Sequence, residues 1–296
     1  MTSHSIQRFW HKPWNEKLTT AEFLFRRTLA KLPYVPVPVD LEIARDESVR
    51  FWWSYFVGFY DRDRAFFDYW GQDQGDLRFL WKALRPGDTF LDVGAFHGVY
   101  SVVAGKRVTN RGRVIAFEPS PRDRRRLALH LRWNGIRNAR VEPFAVSSAA
   151  SELTFFQVVS GDPTRNGLKP PASDDLIAKI NVRAVSLDQY ISDTKIERVD
   201  VMKLDVEGGE LEALYGAEAL FEKFRPILIF EVLDQTTQVW GYPAREIISL
   251  LAGAGYLWFE TAADGSLIPH EIRVEYPEVK NYVAVPREKW PLQAEQ

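Results

Sequence analysis

Four acidic residues each end or follow a short apolar run with the composition of a buried β-strand: Asp92, Glu118, Asp205 and Glu231. The carboxyl ends of parallel strands meet at one edge of an open α/β sheet and form a ligand crevice there. A single acid at a strand end often caps the helix that follows. Four such acids along one strand–helix series favour a binding or catalytic site. We therefore expect the four carboxylates to face a common crevice.

A glycine turn follows the first of these acids, with Gly94 and Gly98 four residues apart. This spacing predicts a strand, a tight turn and a helix, which together open a nucleotide cleft. A dinucleotide fingerprint would need glycine where Phe96 and Val99 stand, and a phosphate-binding Gly-Lys-Ser/Thr ending is absent. Glu118 ends the next strand and is placed to accept hydrogen bonds from ribose hydroxyls. A nucleoside ligand without phosphate, such as S-adenosylmethionine, fits this pattern; an ordinary strand–helix–strand unit is the alternative.

The elements that would hold these residues form an alternating series of strands and helices. The predicted strands are Thr89–Val93, Arg113–Phe117, Ala139–Val146, Val199–Asp205, Pro226–Glu231, Tyr256–Thr261 and Asn281–Val285. Helices are predicted over Asp76–Leu84, from Pro121 to Asn134, over Leu211–Tyr215 and over Ala244–Ala254. The last two strands have no helix between them, which favours an antiparallel pair. The pattern predicts an α/β fold with a mostly parallel seven-stranded sheet.

Two alternating segments, Glu152–Val158 and Ile180–Leu187, predict an antiparallel pair inserted in this series. The connection between them, rich in glycine and proline over Gly161–Pro171, is a long loop. Such a loop can act as a lid over a site or can be a tolerated surface insertion. The sequence leaves these two interpretations open.

The first 80 residues differ from the rest, because they are crowded with aromatic side chains; six of the ten tryptophans lie in the first 81 residues. A helix is predicted over Thr19–Leu32, followed by an extended proline-rich stretch. We expect residues 1–80 to form a cap and residues 81–296 the main domain. The cap either packs on the main domain or also closes over the cleft as an apolar acceptor pocket.

Composition excludes several classes of function. The 296 residues carry a net charge of −2 and contain no cysteine. Disulfides, thiolate catalysis and cysteine-ligated metals are therefore excluded, and no basic excess indicates a nucleic-acid partner. The sequence lacks a signal-peptide core and any 18-residue apolar run, so we expect a cytoplasmic protein without a membrane span. Assembly as a homo-oligomer is left open.

Four motifs together resemble the FkbM family of S-adenosylmethionine-dependent methyltransferases. They are Leu91-Asp92-Val93-Gly94-Ala95-x-x-Gly98, Phe117-Glu118-Pro119-Ser120-Pro121, Lys203-Leu204-Asp205-Val206-Glu207-Gly208-Gly209-Glu210 and Phe230-Glu231. The resemblance covers about residues 85–260, and the Lys-x-Asp-x-Glu-Gly block is its most specific part. It implies a class I, Rossmann-like fold with a reversed last hairpin. It also implies methyl transfer to a hydroxyl of a sugar, polyketide or other small metabolite.

The resemblance also implies which residues hold the cofactor. Its methionine end would lie along the glycine turn, its ribose at Glu118 and its adenine beside Ala145 and Val146. The implied cofactor residues are Asp92, Gly94, Ala95, Phe96, Gly98, Glu118, Pro119, Ala145 and Val146. The sequence departs from the usual family pattern at Phe96 and His97.

Most of the candidate catalytic residues lie at or just after the ends of the fourth and fifth predicted strands. Asp205 or Glu207 would orient the acceptor and remove its proton, and His97 is the other candidate because its ordinary pKa suits proton transfer near neutrality. Lys203 shares a strand face with Asp205, and Glu231 flanks the site. Three carboxylates suit Mg²⁺, but an ammonium among them competes with a dication. We therefore predict metal-independent O-methylation.

Two other classes of function stay open at this point. One is an enzyme that uses NAD or a nucleotide sugar, against which the missing glycines at Phe96 and Val99 argue. The other is a non-catalytic protein that keeps the fold. The identity of the acceptor lies beyond the sequence.

Overall fold

The computed structural model describes residues 38–44, 47–52, 75–160, 163–171 and 175–292. The predicted helix Thr19–Leu32 and most of the aromatic cap lie outside the described residues, so the division at residue 80 and the role of the cap stay predictions. No helix among the described residues is both long and apolar enough to cross a bilayer.

The described chain contains thirteen strands and eight α-helices. The strands are β1 (Pro38–Ala44), β2 (Glu47–Trp52), β3 (Thr89–Val93), β4 (Arg113–Phe117), β5 (Ala139–Glu142), β6 (Phe144–Val146), β7 (Ser151–Ser160), β8 (Leu176–Val185), β9 (Val201–Leu204), β10 (Ile227–Glu231), β11 (Tyr256–Thr261), β12 (Leu267–Pro269) and β13 (Asn281–Pro286). The helices are α1 (75–83), α2 (Val99–Val108), α3 (Pro121–Trp133), α4 (Leu187–Thr194), α5 (Glu210–Tyr215), α6 (Glu218–Phe224), α7 (Asp234–Thr237) and α8 (Arg245–Gly253).

The main sheet has the strand order β12-β11-β13-β10-β9-β3-β4-β5. Neighbouring strands from β5 to β10 are parallel, whereas β13 is antiparallel to both β10 and β11. The predicted reversed last hairpin is therefore confirmed. The short edge strand β12 adds an eighth member to the seven that the sequence predicts.

The sheet is buried on both faces, which explains why its central strands are almost wholly apolar. Successive side chains of a strand point to opposite faces, so Leu91 and Val93 join one hydrophobic core and Phe90 joins the other. In β9, Met202 and Val201 divide between the same two cores. This packing fixes the level at which each strand ends and so aligns the residues that follow.

The predicted strand Ala139–Val146 is divided in two. Pro143 cannot donate a ladder hydrogen bond, and the chain leaves the main sheet there, so that β6 pairs in parallel with β8 in a separate sheet with order β6-β8-β7. The predicted antiparallel pair is confirmed as β7 and β8. Leu187 opens α4 and is not in the strand, because the Ser186 side chain accepts the backbone N–H of Gln189 and caps that helix.

Candidate active site

A cleft of about 380 Å³ opens at the carboxyl ends of β4, β9 and β10, within the range of about 300–1,000 Å³ typical of small-molecule sites. Most of the predicted site residues line it together: Gly94, Phe96, Glu118, Pro119, Ala145, Val146, Asp205, Glu207 and Glu231. The other predicted residues, Asp92, Ala95, His97, Gly98 and Lys203, are not on its wall. Three of the four strand-end acids thus share the crevice, and Asp92 does not.

The glycine turn after β3 is fixed by close packing. Gly94 has a φ of +80°, and a Cβ there would lie 1.8 Å from the carbonyl oxygen of Asp205. Gly98 has a φ of +78°, and its Cβ would lie 2.0 Å from Leu127 Cδ1. Only glycine combines this backbone conformation with the available space. The turn therefore brings the ends of β3 and β9 into direct contact.

Glu118 connects the end of β4 to the glycine turn. Its carboxylate accepts the backbone N–H of Phe96 at 2.8 Å and that of Ser120 at 2.7 Å. Burial raises the pKa of Glu118 to about 8. Near neutral pH, a carboxyl with this pKa can lose its proton when a ligand binds. It can then accept hydrogen bonds from hydroxyl groups of the ligand.

The wall next to Glu118 is apolar. It consists of Phe117, Pro119, Phe144, Ala145, Val146 and Phe155. Aromatic and aliphatic side chains with a few convergent polar groups are typical of sites that bind a flat heterocycle. The division of the predicted third strand contributes here, because Phe144 to Val146 belong to β6 and not to the main sheet.

The opposite end of the cleft is acidic. Asp205, Glu207 and Glu231 each offer a carboxylate oxygen, and these oxygens lie within 4.8 Å of one another. Behind them, the buried Lys203 Nζ donates to Asp205 Oδ2 at 2.8 Å and to Asn281 Oδ1 at 3.1 Å. The ammonium offsets part of the negative charge and orients one oxygen of Asp205. Asn281 begins β13 and carries no sequence signal for this role.

Two non-glycine residues on the cleft wall have left-handed backbone conformations, Phe96 with φ +50° and Glu207 with φ +56°. Such a conformation costs about 1–2 kcal/mol for a residue with a Cβ. The carbonyl of Glu207 accepts the indole N–H of Trp240 at 3.1 Å, and the Phe96 ring stacks on His97 at 3.8 Å. Neighbouring groups thus hold both residues in their strained backbone conformations, a pattern typical of functional sites. The sequence did not single out Trp240.

Asp92 and His97 lie behind the wall. Asp92 is fully buried, accepts the Ser101 hydroxyl at 2.5 Å, and has its pKa raised to about 6 by burial. His97 is 1% exposed, and its Nε2 hydrogen-bonds Asp123 Oδ1 at 2.9 Å. Burial holds the pKa of His97 well below its usual range. An imidazole engaged in this way does not face the cleft, so the geometry argues against His97 as the base.

The inserted loop forms part of the cleft. Residues 163–171 include eight of its lining residues, from Thr164 to Pro171. Gly167 makes a β-bridge with Phe156, and a Cβ on Gly167 would lie 3.2 Å from Glu207 Cβ. The loop is therefore packed against the acidic end of the cleft rather than projecting into solvent. Its movement as a lid stays a prediction.

Comparison with known proteins gives a consistent family. Residues 92–257 match the model of the methyltransferase FkbM domain. The chain is 31% identical over 209 residues to the AMB antimetabolite synthetase AmbE of Pseudomonas aeruginosa, a match that covers 58% of this chain and 10% of that protein. It is 28% identical over 208 residues to the 31-O-demethyl-FK506 methyltransferase FkbM of Streptomyces tacrolimicus, covering 58% of this chain and 74% of that one.

A solved structure, the methyltransferase FkbM of Methylobacillus flagellatus, aligns with a TM-score of 0.44 at 16% identity. The alignment covers 68% of this chain and 44% of that chain.

Proposed function

The chain belongs to the FkbM methyltransferase family, and we propose that it transfers a methyl group from S-adenosylmethionine to a hydroxyl of a small molecule. The observation that carries the proposal is the polarity of the cleft. One end has a buried carboxyl beside an apolar wall, and the other end has three carboxylates within 4.8 Å of one another.

The first end suits a nucleoside. Glu118 can accept ribose hydroxyls, while Pro119, Ala145 and Val146 offer an apolar surface for adenine. The acidic end suits a positively charged group, which the carboxylates of Asp205 and Glu231 would attract. S-adenosylmethionine, when bound, supplies an electrophilic methyl group. The residues present therefore fit this cofactor in charge and polarity.

We assign Asp205 as the group that orients the acceptor and takes its proton. Lys203 fixes Oδ2 of its carboxylate, and the second oxygen is the one that we assign to the acceptor hydroxyl. The Asp205 side chain is 34% exposed, unlike Lys203 behind it at 2%. A base must lie within hydrogen-bond reach of the proton it removes, and Asp205 lies on the cleft wall. Glu207 is the alternative base on the same wall, and Glu231 flanks both.

The acceptor is proposed to be a small hydroxyl-bearing metabolite such as a sugar or polyketide. The S. tacrolimicus relative is described as a 31-O-demethyl-FK506 methyltransferase, which supports oxygen as the acceptor atom. The net charge of −2 gives no support for a nucleic-acid substrate. The aromatic cap stays our candidate for contributing to acceptor binding.

A thermal-shift experiment tests the cofactor assignment. S-adenosylmethionine or S-adenosylhomocysteine should raise the unfolding temperature, and NAD⁺ should not, because a ligand that binds only the native state stabilises it. Incubation with methyl-tritiated S-adenosylmethionine and a panel of sugars and hydroxylated macrolides then tests transfer. A shift with NAD⁺ alone would favour the dinucleotide alternative. Cofactor binding without transfer to any tested acceptor would favour the non-catalytic one.

A further inference from the structure

The buried carboxylate of Asp123 takes no part in the proposed chemistry. Asp123 lies in the first turn of α3, its side chain is 0% exposed, and it does not line the cleft. It nevertheless accepts hydrogen bonds from three directions: from His97 Nε2 at 2.9 Å, from Arg122 at 2.9 and 3.0 Å, and from Asn166 Nδ2 at 2.9 Å. These donors belong to the glycine turn, to α3 itself and to the inserted loop.

The hydrogen bond from His97 to Asp123 supports the part of the cleft wall that Phe96 forms, which we call the Phe96 wall. His97 lies parallel to the Phe96 ring, with centroids 3.8 Å apart and an interplanar angle of 14°. Phe96 lines the cleft with a left-handed backbone and donates its N–H to Glu118. Because Asp123 fixes one ring nitrogen of His97, it also fixes the surface on which Phe96 rests.

The hydrogen bond from Asn166 to Asp123 supports the part of the cleft wall that residues 163–171 form, which we call the loop wall. Asn166 donates to Asp123, and its side-chain oxygen accepts the Val158 N–H at 2.8 Å. The next residue, Gly167, is bridged to Phe156, and both Asn166 and Gly167 line the cleft. The amide of Asn166 thus ties the loop to β7 on one side and to α3 on the other.

We propose that Asp123 is a positioning residue that holds two walls of the cofactor cleft in register, the Phe96 wall through His97 and the loop through Asn166. The inference rests on the proposed function, since the ligand of this cleft is taken to be S-adenosylmethionine. A role confined to starting α3 would not need these contacts. Ser120 already caps the helix by accepting the Asp123 N–H, and the Asp123 side chain is directed to other elements.

A set of four variants tests the Asp123–Asn166 contact. Asn166→Ala removes one hydrogen bond. Asn166→Asp places a second carboxylate where the amide donated, so like charges face each other. Asp123→Asn sets two amide donors against each other. In the double variant Asp123→Asn/Asn166→Asp, the amide at position 123 can donate to the carboxylate at position 166 while its oxygen still accepts from His97. This restores the contact between positions 123 and 166 with reversed polarity, although Arg122 Nη2 loses the oxygen to which it donates in the wild type.

The probe is S-adenosylhomocysteine, with affinity measured by calorimetry and dissociation rate by stopped-flow tryptophan fluorescence. Asn166→Asp should weaken binding about tenfold or more and Asn166→Ala by less, because the first sets two carboxylates against each other and the second only removes one hydrogen bond. The double variant should bind more tightly than either Asn166→Asp or Asp123→Asn alone. Asn181→Asp, the same substitution on an exposed position of β8, is the matched control and should bind normally.

Two further measurements use the protein without ligand. Hydrogen exchange of residues 163–171 should speed up in Asn166→Asp and slow again in the double variant. The ¹⁵N imidazole spectrum should show an altered His97 signal in Asp123→Asn and an unaltered one in Asn166→Ala. If Asp123→Asn does not fold, the ranking of Asn166→Ala, Asn166→Asp and wild type still decides the question.

The proposal is overturned if Asn166→Asp binds S-adenosylhomocysteine like the wild type, or if a folded double variant is no better than the single ones. Wild-type protein that fails to bind S-adenosylhomocysteine would instead refute the proposed function. In that event the exchange of residues 163–171 still reports whether Asp123 holds the loop, so the two failures are distinguishable.

Discussion

The ends of β3 and β9 are neighbours in the sheet and look alike in sequence, yet their acidic residues lie in different environments. Asp92 lies inside β3, opposite Lys203 in the parallel register, and is sealed beneath the Ser101 hydroxyl. Asp205 follows Leu204, one residue beyond the end of β9, and lies on the cleft wall. Asp92 lies one residue before the end of its strand, and Asp205 lies one residue after the end of its strand. This small difference in position separates a buried carboxylate from one that a ligand can contact.

The turns that follow the two strands complete this difference. After β3, Gly94 and Gly98 fold the chain back tightly, so that α2 covers Asp92. After β9, residues 205–207 are only partly buried, and Glu207 has a left-handed backbone conformation with its carbonyl bound by the Trp240 indole. We therefore propose that the β3 end supports the cofactor wall and that the β9 end carries the proposed chemistry. Four predictions test this division.

The largest effect is expected for Asp205→Asn. Turnover with an acceptor found in the tritium assay should fall by about 10²–10⁴-fold, the usual contribution of a general base. Affinity for S-adenosylmethionine, measured by calorimetry, should fall far less than turnover, because the main proposed role of Asp205 is on the acceptor side. Asp92→Asn should show the opposite pattern, with weaker cofactor binding or lower stability. An Asp205→Asn variant with wild-type turnover would refute the assignment.

The next effect concerns Glu118→Ala, at the cofactor end of the cleft. Removing a charged acceptor from the ribose hydroxyls should weaken S-adenosylmethionine binding by about 1.5–3 kcal/mol. Glu152→Ala, on an exposed position of β7, is the control and should leave affinity unchanged. Unchanged affinity in a folded Glu118→Ala protein would show that the ribose is held elsewhere.

A smaller, pH-dependent effect follows from the same residue. Burial and nearby Asp123 raise the pKa of Glu118 to about 8, while Arg124 acts in the lowering direction. At pH 7 the free protein therefore holds this proton, and hydroxyl donors of the ligand favour the ionised form, so binding releases it. Affinity for S-adenosylhomocysteine should rise with pH by up to about tenfold per unit below pH 8 and level off above it. Calorimetry in two buffers of different ionisation enthalpy measures the released proton.

The control for this prediction is Glu118→Gln, in which the pH dependence over this range should disappear. The sign is opposite for stability of the free protein. The pKa of Glu118 is raised in the folded state, so its contribution is full below the unfolded-state pKa and is lost as pH rises through about 8. Wild type should therefore lose stability relative to Glu118→Gln between about pH 5 and pH 8 in urea unfolding. A pH-independent difference would contradict the pKa assignment.

No effect is expected from metal removal. The carboxylates of Asp205, Glu207 and Glu231 are close enough to share a cation, but the Lys203 ammonium 2.8 Å from Asp205 competes with a dication for the same charge. Turnover should be the same with and without EDTA. Loss of activity in EDTA that Mg²⁺ or Mn²⁺ restores would overturn metal-independent transfer and would make the acidic end a metal site.

Local patterns in the sequence were sufficient to predict part of this fold. The apolar runs ending in Asp92, Glu118, Asp205 and Glu231, and the glycine turn after the first of them, predicted the parallel sheet. The lack of a helix between Tyr256–Thr261 and Asn281–Val285 predicted the reversed hairpin. The same motifs identified the family. These features depend on residues within a few positions of each other, where strand periodicity and the backbone freedom of glycine act directly.

Which chemical groups face the cleft depends on tertiary packing, which the sequence pattern does not show. Asp92 and His97 have the residue types of active-site groups, but packing buries both, whereas Asp205 stays accessible. Asp123 meets Asn166 across 43 residues of sequence, and Lys203 meets Asn281 across 78. Contacts between such distant residues leave no periodic pattern in the chain, because they depend on how complete strands and helices pack and not on local conformational preference.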